Sequence, residues 1–182
     1  MNAAWLLGIV AALALGAAAW GGVWFLRRRK QLDYQLRAIA WERLTDVVIP
    51  DEFDGEIHLD LVLLTPRGIL VLDVREASGT LFWGDQLENW TLLDGVRRKV
   101  ISNPLPGMRA RRHAVHALAP RVPVDGRVLL VGTVTVAGRS PPGVVLTEDL
   151  LAAFPAKGKG GPTPELAEAW AGLAERARPL RG

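Results

Sequence analysis

Residues His58–Arg75 read HLDLVLLTPRGILVLDVR. Two aliphatic runs flank Thr-Pro-Arg-Gly, in which proline presets φ and glycine accepts a left-handed position. Short apolar runs bounded by turn residues predict strands, so the stretch predicts a hairpin. Pairing about Thr65–Gly68 sets Leu64 opposite Ile69, Val62 opposite Val71, Asp60 opposite Asp73 and His58 opposite Arg75. The register is the same if Pro66-Arg67 alone forms the loop. Directly opposed residues have Cβ atoms about 5 Å apart, and like charges placed this way are unfavourable. A hard divalent cation offsets such repulsion, because Mg²⁺ is commonly held by one or two carboxylates together with water and substrate phosphate. A solvated sheet face, or neutralisation by Arg75, also accommodates the pair. Spacing alone leaves these readings open.

Outward from the hairpin, DVVIP (Asp46–Pro50) predicts a short strand and DEFDG (51–55) a turn. Glu56–Leu64 and Ile69–Arg75 are the hairpin strands. Gly79 and Thr80 precede LFWG, and ENWTLLDGVRRKVI (Glu88–Ile101) predicts a second hairpin with Asp94-Gly95 as its two-residue turn. A helix follows, capped by Asn103 with Pro104 at its first position, and it ends near Ala119. GRVLLVGTVTVAG (Gly126–Gly138) predicts one strand buried on both faces. GVVL predicts another. TEDLLAAF predicts a helix capped by Thr147, AKGKGGP a flexible linker, and TPELAEAWAGLAERA an amphipathic helix capped by Thr163. This order of elements predicts an α/β domain with a mixed sheet.

The N-terminal region differs in kind. Ala3–Leu26 carries no charge and is long enough to span a hydrocarbon core as a helix, with RRRK (Arg27–Lys30) directly after it. A secretory signal peptide would put the charge before the apolar run. The expectation is therefore a single-pass anchor with its N-terminus outside and the domain in the cytoplasm, and Trp5, Trp20 and Trp24 sit near the ends of the run. The net charge is +3, and Arg27–Lys30 contributes four positive charges, leaving −1 for the rest. Bulk charge does not mark the domain as a nucleic-acid binder; a local patch must do so. There are no cysteines, which excludes disulfides and thiolate metal sites.

The acids of the hairpin are spaced as Asp, twelve residues, then Asp-x-Arg, close to the Asp…(Asp/Glu)-x-Lys signature of a large nuclease superfamily. Together with the Gly79 that follows, Trp90 and the Asn-Pro-Leu at Asn103–Leu105, EIHLDLVLLTPRGILVLDVREASGTLFW resembles the nuclease-related domain, often called NERD, over about Thr45 to Leu118. The resemblance implies a restriction-endonuclease-like α/β core and a bacterial, membrane-anchored protein. It also implies that Asp60 and Asp73 hold Mg²⁺ while Arg75 stands where the family has its lysine. Arginine stays protonated and cannot be a general base, but it can contact phosphate bidentately. No Gly-Glu pair occurs between Gln31 and Thr45, and Gly107 stands where the Asn-Pro helix often has a glutamine.

The domain boundaries that follow are 3–26 for the transmembrane helix, 27–44 for a basic juxtamembrane segment and linker helix, 45–154 for the NERD-like domain, 155–163 for the linker and 164–177 for the final helix. Two functions stand side by side. One is a membrane-anchored, Mg²⁺-dependent phosphodiesterase acting on nucleic acid at the bacterial inner membrane. The other is a catalytically degenerate domain that binds nucleic acid or protein partners. Arg97, Arg98, Lys99, Arg109 and Arg112 are the expected phosphate-binding residues. Trp83 and Trp90 are expected to pack the sheet rather than stack on bases. His58, on the face of the acids, could serve as a metal ligand or proton shuttle, but a satisfied surface residue is the expectation.

Overall fold

A computed structural model describes residues 30–51, 55–84 and 86–180. The chain divides into two units, 1–37 and 38–182. The described residues of the first lie on a helix over 30–39 (α1), which carries an Asp33–Arg37 ion pair at 2.8 Å. The expected transmembrane segment at 3–26 falls outside the described residues. Among the described residues, no helix is long and apolar enough to cross a membrane.

The second unit is an α/β fold with two sheets. The larger contains β1 (Glu42–Pro50), β2 (Glu56–Thr65), β3 (Gly68–Glu76), β7 (Val124–Val131), β9 (Val144–Leu146) and β10 (Arg178–Pro179), in the order β10-β1-β2-β3-β7-β9. The smaller contains β4 (Gly79–Phe82), β5 (Asn89–Asp94), β6 (Arg97–Ser102) and β8 (Val134–Val136), in the order β6-β5-β4-β8. Both are mixed: β3 pairs parallel with β7, and β4 pairs parallel with β8, while the hairpins are antiparallel. The helices are α2 (Leu105–Leu118), the short α3 (Leu150–Ala153) and α4 (Pro164–Arg176).

The central hairpin has the expected register through Leu61↔Leu72, with Pro66-Arg67 as the loop and Thr65 opposite Gly68. Beyond that rung the strands part, β2 staying with β1 and β3 with β7. The expected pairing of His58 with Arg75 is therefore not made. Both faces of this hairpin are covered. Val62, Leu64, Ile69 and Val71 belong to a core that includes Trp90, Met108, Val115, Leu166, Trp170 and Leu173, while Leu61, Leu63, Leu70 and Leu72 are equally buried. Burying one such side chain contributes about 1.5–3 kcal/mol, so the hairpin is a stable base for what lies at its open end.

Several boundaries differ from expectation. Strand β1 starts at Glu42 rather than Asp46, because the full length of β2 offers it a partner. The second hairpin turns at Gly95-Val96, not Asp94-Gly95, since Asp94 pairs with Arg97. Gly95 has φ 58° at the first loop position, which suits a type II′ turn. The expected single strand over 126–138 is two strands in different sheets. At Gly132 (φ 140°) a Cβ would lie 1.9 Å from the Ala77 carbonyl oxygen, and only glycine lets the strands approach there. Ala77 N–H donates to the Val131 carbonyl and Gly79 N–H to that of Thr133, so β3–β4 and β7–β8 cross between sheets side by side.

Helix α2 begins at Leu105 without delay from Pro106-Gly107, and the Asn103 side chain accepts the Leu105 N–H at 3.0 Å. Thr147 caps nothing; its hydroxyl donates to the Leu130 carbonyl. Thr163 does cap α4, accepting the Leu166 N–H. The apolar face of α4 (Leu166, Trp170, Leu173) enters the core, and Trp170 Nε1 donates to Glu42 Oε2 at 2.7 Å. Trp90 is buried and Trp83 packs against it edge-on at 6.3 Å, the packing role expected of both.

Candidate metal and phosphate site

The candidate site lies where β2 and β3 part. Asp60 sits at a break in two ladders. Its β1 neighbour would be Asp46, between the rungs Thr45↔Leu61 and Val47↔Leu59, but that rung is missing. Its β3 neighbour would be Asp73, one step past the last rung. Instead, Asp60 Oδ2 accepts the Val74 backbone N–H at 2.8 Å, so the carboxylate fills the opening and satisfies a donor freed by the splay.

Asp73 is fully buried, with 0% exposure. Arg75 grips it from the same strand: Nη2 donates to Oδ2 at 3.1 Å and Nε lies 2.8 Å from Oδ1. The second contact lacks the alignment of a hydrogen bond, which leaves the buried Oδ1 with a charge neighbour but no hydrogen-bond donor. Asp73 holds the Arg75 guanidinium protonated even more firmly than usual.

The Asp60 and Asp73 carboxyls are in contact. Burial raises the Asp60 carboxyl above the ordinary aspartate range. The Val74 N–H opposes that rise, Asp73 adds to it, and His58 opposes it. Burial and the neighbouring Asp73 both disfavour the charged form of Asp60, and a cation beside the pair would offset both. Their chemistry, and the unsatisfied Asp73 oxygen, fit a hard divalent ion.

Two further residues join this group. Arg111, on α2 and only 18% exposed, donates from Nε to the His58 carbonyl at 2.9 Å and brings Nη1 to 3.6 Å from Asp73 Oδ2. Its guanidinium lies over Gly107, where a Cβ would come within 2.9 Å of Nη1. Gly107 thus leaves room for an arginine one helical turn later. Asp46 is the other. It was readable, because pairing about the turn at 51–55 sets Asp46 opposite Asp60. His58 is drawn in with it: Nδ1 is 3.3 Å from Asp60 Oδ1 and Nε2 is 3.6 Å from Asp46 Oδ1.

The expected phosphate-binding residues are all exposed. Arg97, Arg98 and Lys99 are exposed along β6, and Arg109 and Arg112 are exposed on α2. None of the five is in a described ion pair with Asp60 or Asp73.

The model of the nuclease-related domain family matches residues 25–131, more than half of the chain. No curated protein and no solved structure matches.

Proposed function

Because the chain belongs to the nuclease-related domain family, we propose that it hydrolyses phosphodiester bonds of nucleic acid with Mg²⁺ at the inner face of a bacterial membrane. The observation that carries this reading is the contact of Asp60 with Asp73 at the mouth of the parted hairpin, with Arg75 gripping Asp73. Asp60 and Asp73 would hold the ion. When bound, Mg²⁺ lowers the pKa of coordinated water and neutralises phosphate charge. Arg75, half exposed and permanently charged, is suited to binding a phosphate oxygen and stabilising the charge that builds there. Arg111 fixes the strand through the His58 carbonyl and adds positive charge beside Asp73. The exposed Arg97, Arg98, Lys99, Arg109 and Arg112 offer phosphate contacts to a longer strand.

The membrane setting is supported by the sequence: the uncharged Ala3–Leu26 run, with Arg27–Lys30 on anionic cytoplasmic headgroups. A second reading, a binding module without hydrolysis, is favoured by one observation. Arg75 lies against both Asp73 oxygens, where it competes with an ion for them.

The test is plasmid and single-strand cleavage by the full chain in detergent, with Mg²⁺ or with chelator. Wild type should cleave only with the ion, and Asp60→Asn and Asp73→Asn should each lose at least a hundredfold. Binding of nucleic acid without cleavage by wild type would establish the second reading.

A further inference from the structure

We infer that Asp46, His58 and Asp60 form a second metal position, one that takes a nitrogen-accepting divalent transition ion such as Mn²⁺ or Co²⁺. It shares Asp60 with the acid pair of the proposed function, but it does not depend on hydrolysis. Four observations point to it.

One ligand atom from each of the three residues lies within 4.8 Å of the others. Bonds of about 2.0–2.2 Å from one ion reach donors so spaced after small side-chain adjustments. His58 Nε2 is buried and has no hydrogen-bond partner, which is costly for an imidazole nitrogen unless something else uses it. Asp46 has φ 50°, the one positive φ among the described non-glycine residues, and it sits in mid-strand. There the Asp46–Asp60 rung is missing, and the Asp46 carboxylate lies 3.6 Å from His58 Nε2. Finally, Asp46 is 69% exposed, so one side of the cluster is open to an arriving ion and to the waters that would complete its shell.

The donor set decides the class of ion. Carboxylates suit Mg²⁺, Ca²⁺ and Mn²⁺, and imidazole suits Zn²⁺, Ni²⁺, Cu²⁺ and iron, so one imidazole with two carboxylates favours the first-row transition ions over Mg²⁺. The Asp60–Asp73 pair offers oxygen alone. The two positions would therefore discriminate between ions, with Asp60 between them.

The experiment is titration of the full chain in detergent with Co²⁺, followed by proton NMR. An imidazole bound to Co²⁺ gives a hyperfine-shifted ring N–H resonance that a nearby but unligated histidine does not. The expected result is one such resonance in wild type, lost in His58→Gln, with Co²⁺ affinity weakened about tenfold or more in both His58→Gln and Asp46→Asn. Absence of the resonance at saturating Co²⁺ in wild type overturns the inference without recourse to any variant. Its persistence in His58→Gln also overturns it, since His113 or His116 would then be the ligand. A folded Asp73→Asn protein should keep the resonance; its loss there would assign the ion to the acid pair. A chain that fails to cleave nucleic acid yet shows the resonance would defeat the proposed function and leave this site standing.

Discussion

The Asp60 carboxylate accepts the Val74 backbone N–H at 2.8 Å, across the place where the β2–β3 ladder has ended. A side chain thus replaces a ladder bond, and the acid is held against Asp73 by the same contact that seals the splay. Substitutions at Asp60 separate the two effects. Asp60→Asn keeps an oxygen for Val74 and removes the like charge, so in chelator it should melt higher than wild type, by up to about 1 kcal/mol. Asp60→Ala leaves the Val74 N–H unpaired and should cost about 1–3 kcal/mol. Thermal melts of the two variants should therefore move in opposite directions.

The ion-free protein should lose stability as pH rises above the ordinary aspartate value of 3.8. Burial and Asp73 raise the Asp60 carboxyl, so the folded chain binds that proton more tightly than the unfolded chain. Where the folded state holds more protons, stability falls with pH. The loss runs from 3.8 up through the raised folded value and then levels. Urea midpoints across that interval should show the slope, and Asp60→Asn should flatten it.

Arg111 and Arg109 lie two residues apart on α2 with different surroundings. Arg111 bonds the His58 carbonyl and stands beside buried Asp73, whereas Arg109 is exposed. Arg111→Ala should destabilise by about 1–3 kcal/mol, because it strips partners from groups already out of water. Arg109→Ala should stay within about 0.5 kcal/mol of wild type. Equal effects in denaturant titrations would show that Arg111 has no special hold on the site.

Asp46 carries a left-handed backbone in mid-strand. Asp46→Val forces a β-branched residue into that region and should cost about 1–2 kcal/mol. Asp46→Gly removes the side chain but relaxes the backbone, so its melt should lie above that of Asp46→Val.

The hairpin at the heart of the site was legible because the two apolar runs, the turn chemistry and symmetry about Pro66-Arg67 agree on a single register. That register held from Thr65↔Gly68 to Leu61↔Leu72. It failed beyond, at the open end, because β2 and β3 follow different outer neighbours and nothing local in HLDL or LDVR signals a splay. The run over 126–138 reads as one apolar strand because the bend at Gly132 is set by the Ala77 carbonyl, a residue far away in sequence. Asp46 and Asp60 could have been matched by symmetry about 51–55. Arg111 could not have been told from Arg109 and Arg112 without knowing which face of α2 meets the sheet.

Calorimetric titration of Mg²⁺ into the full chain, beside Asp73→Asn, tests the account most directly. The account predicts saturable binding by wild type that is lost in the variant, because Asp60 and Asp73 hold the ion together. Absence of binding by wild type, or equal binding by both proteins, would contradict it.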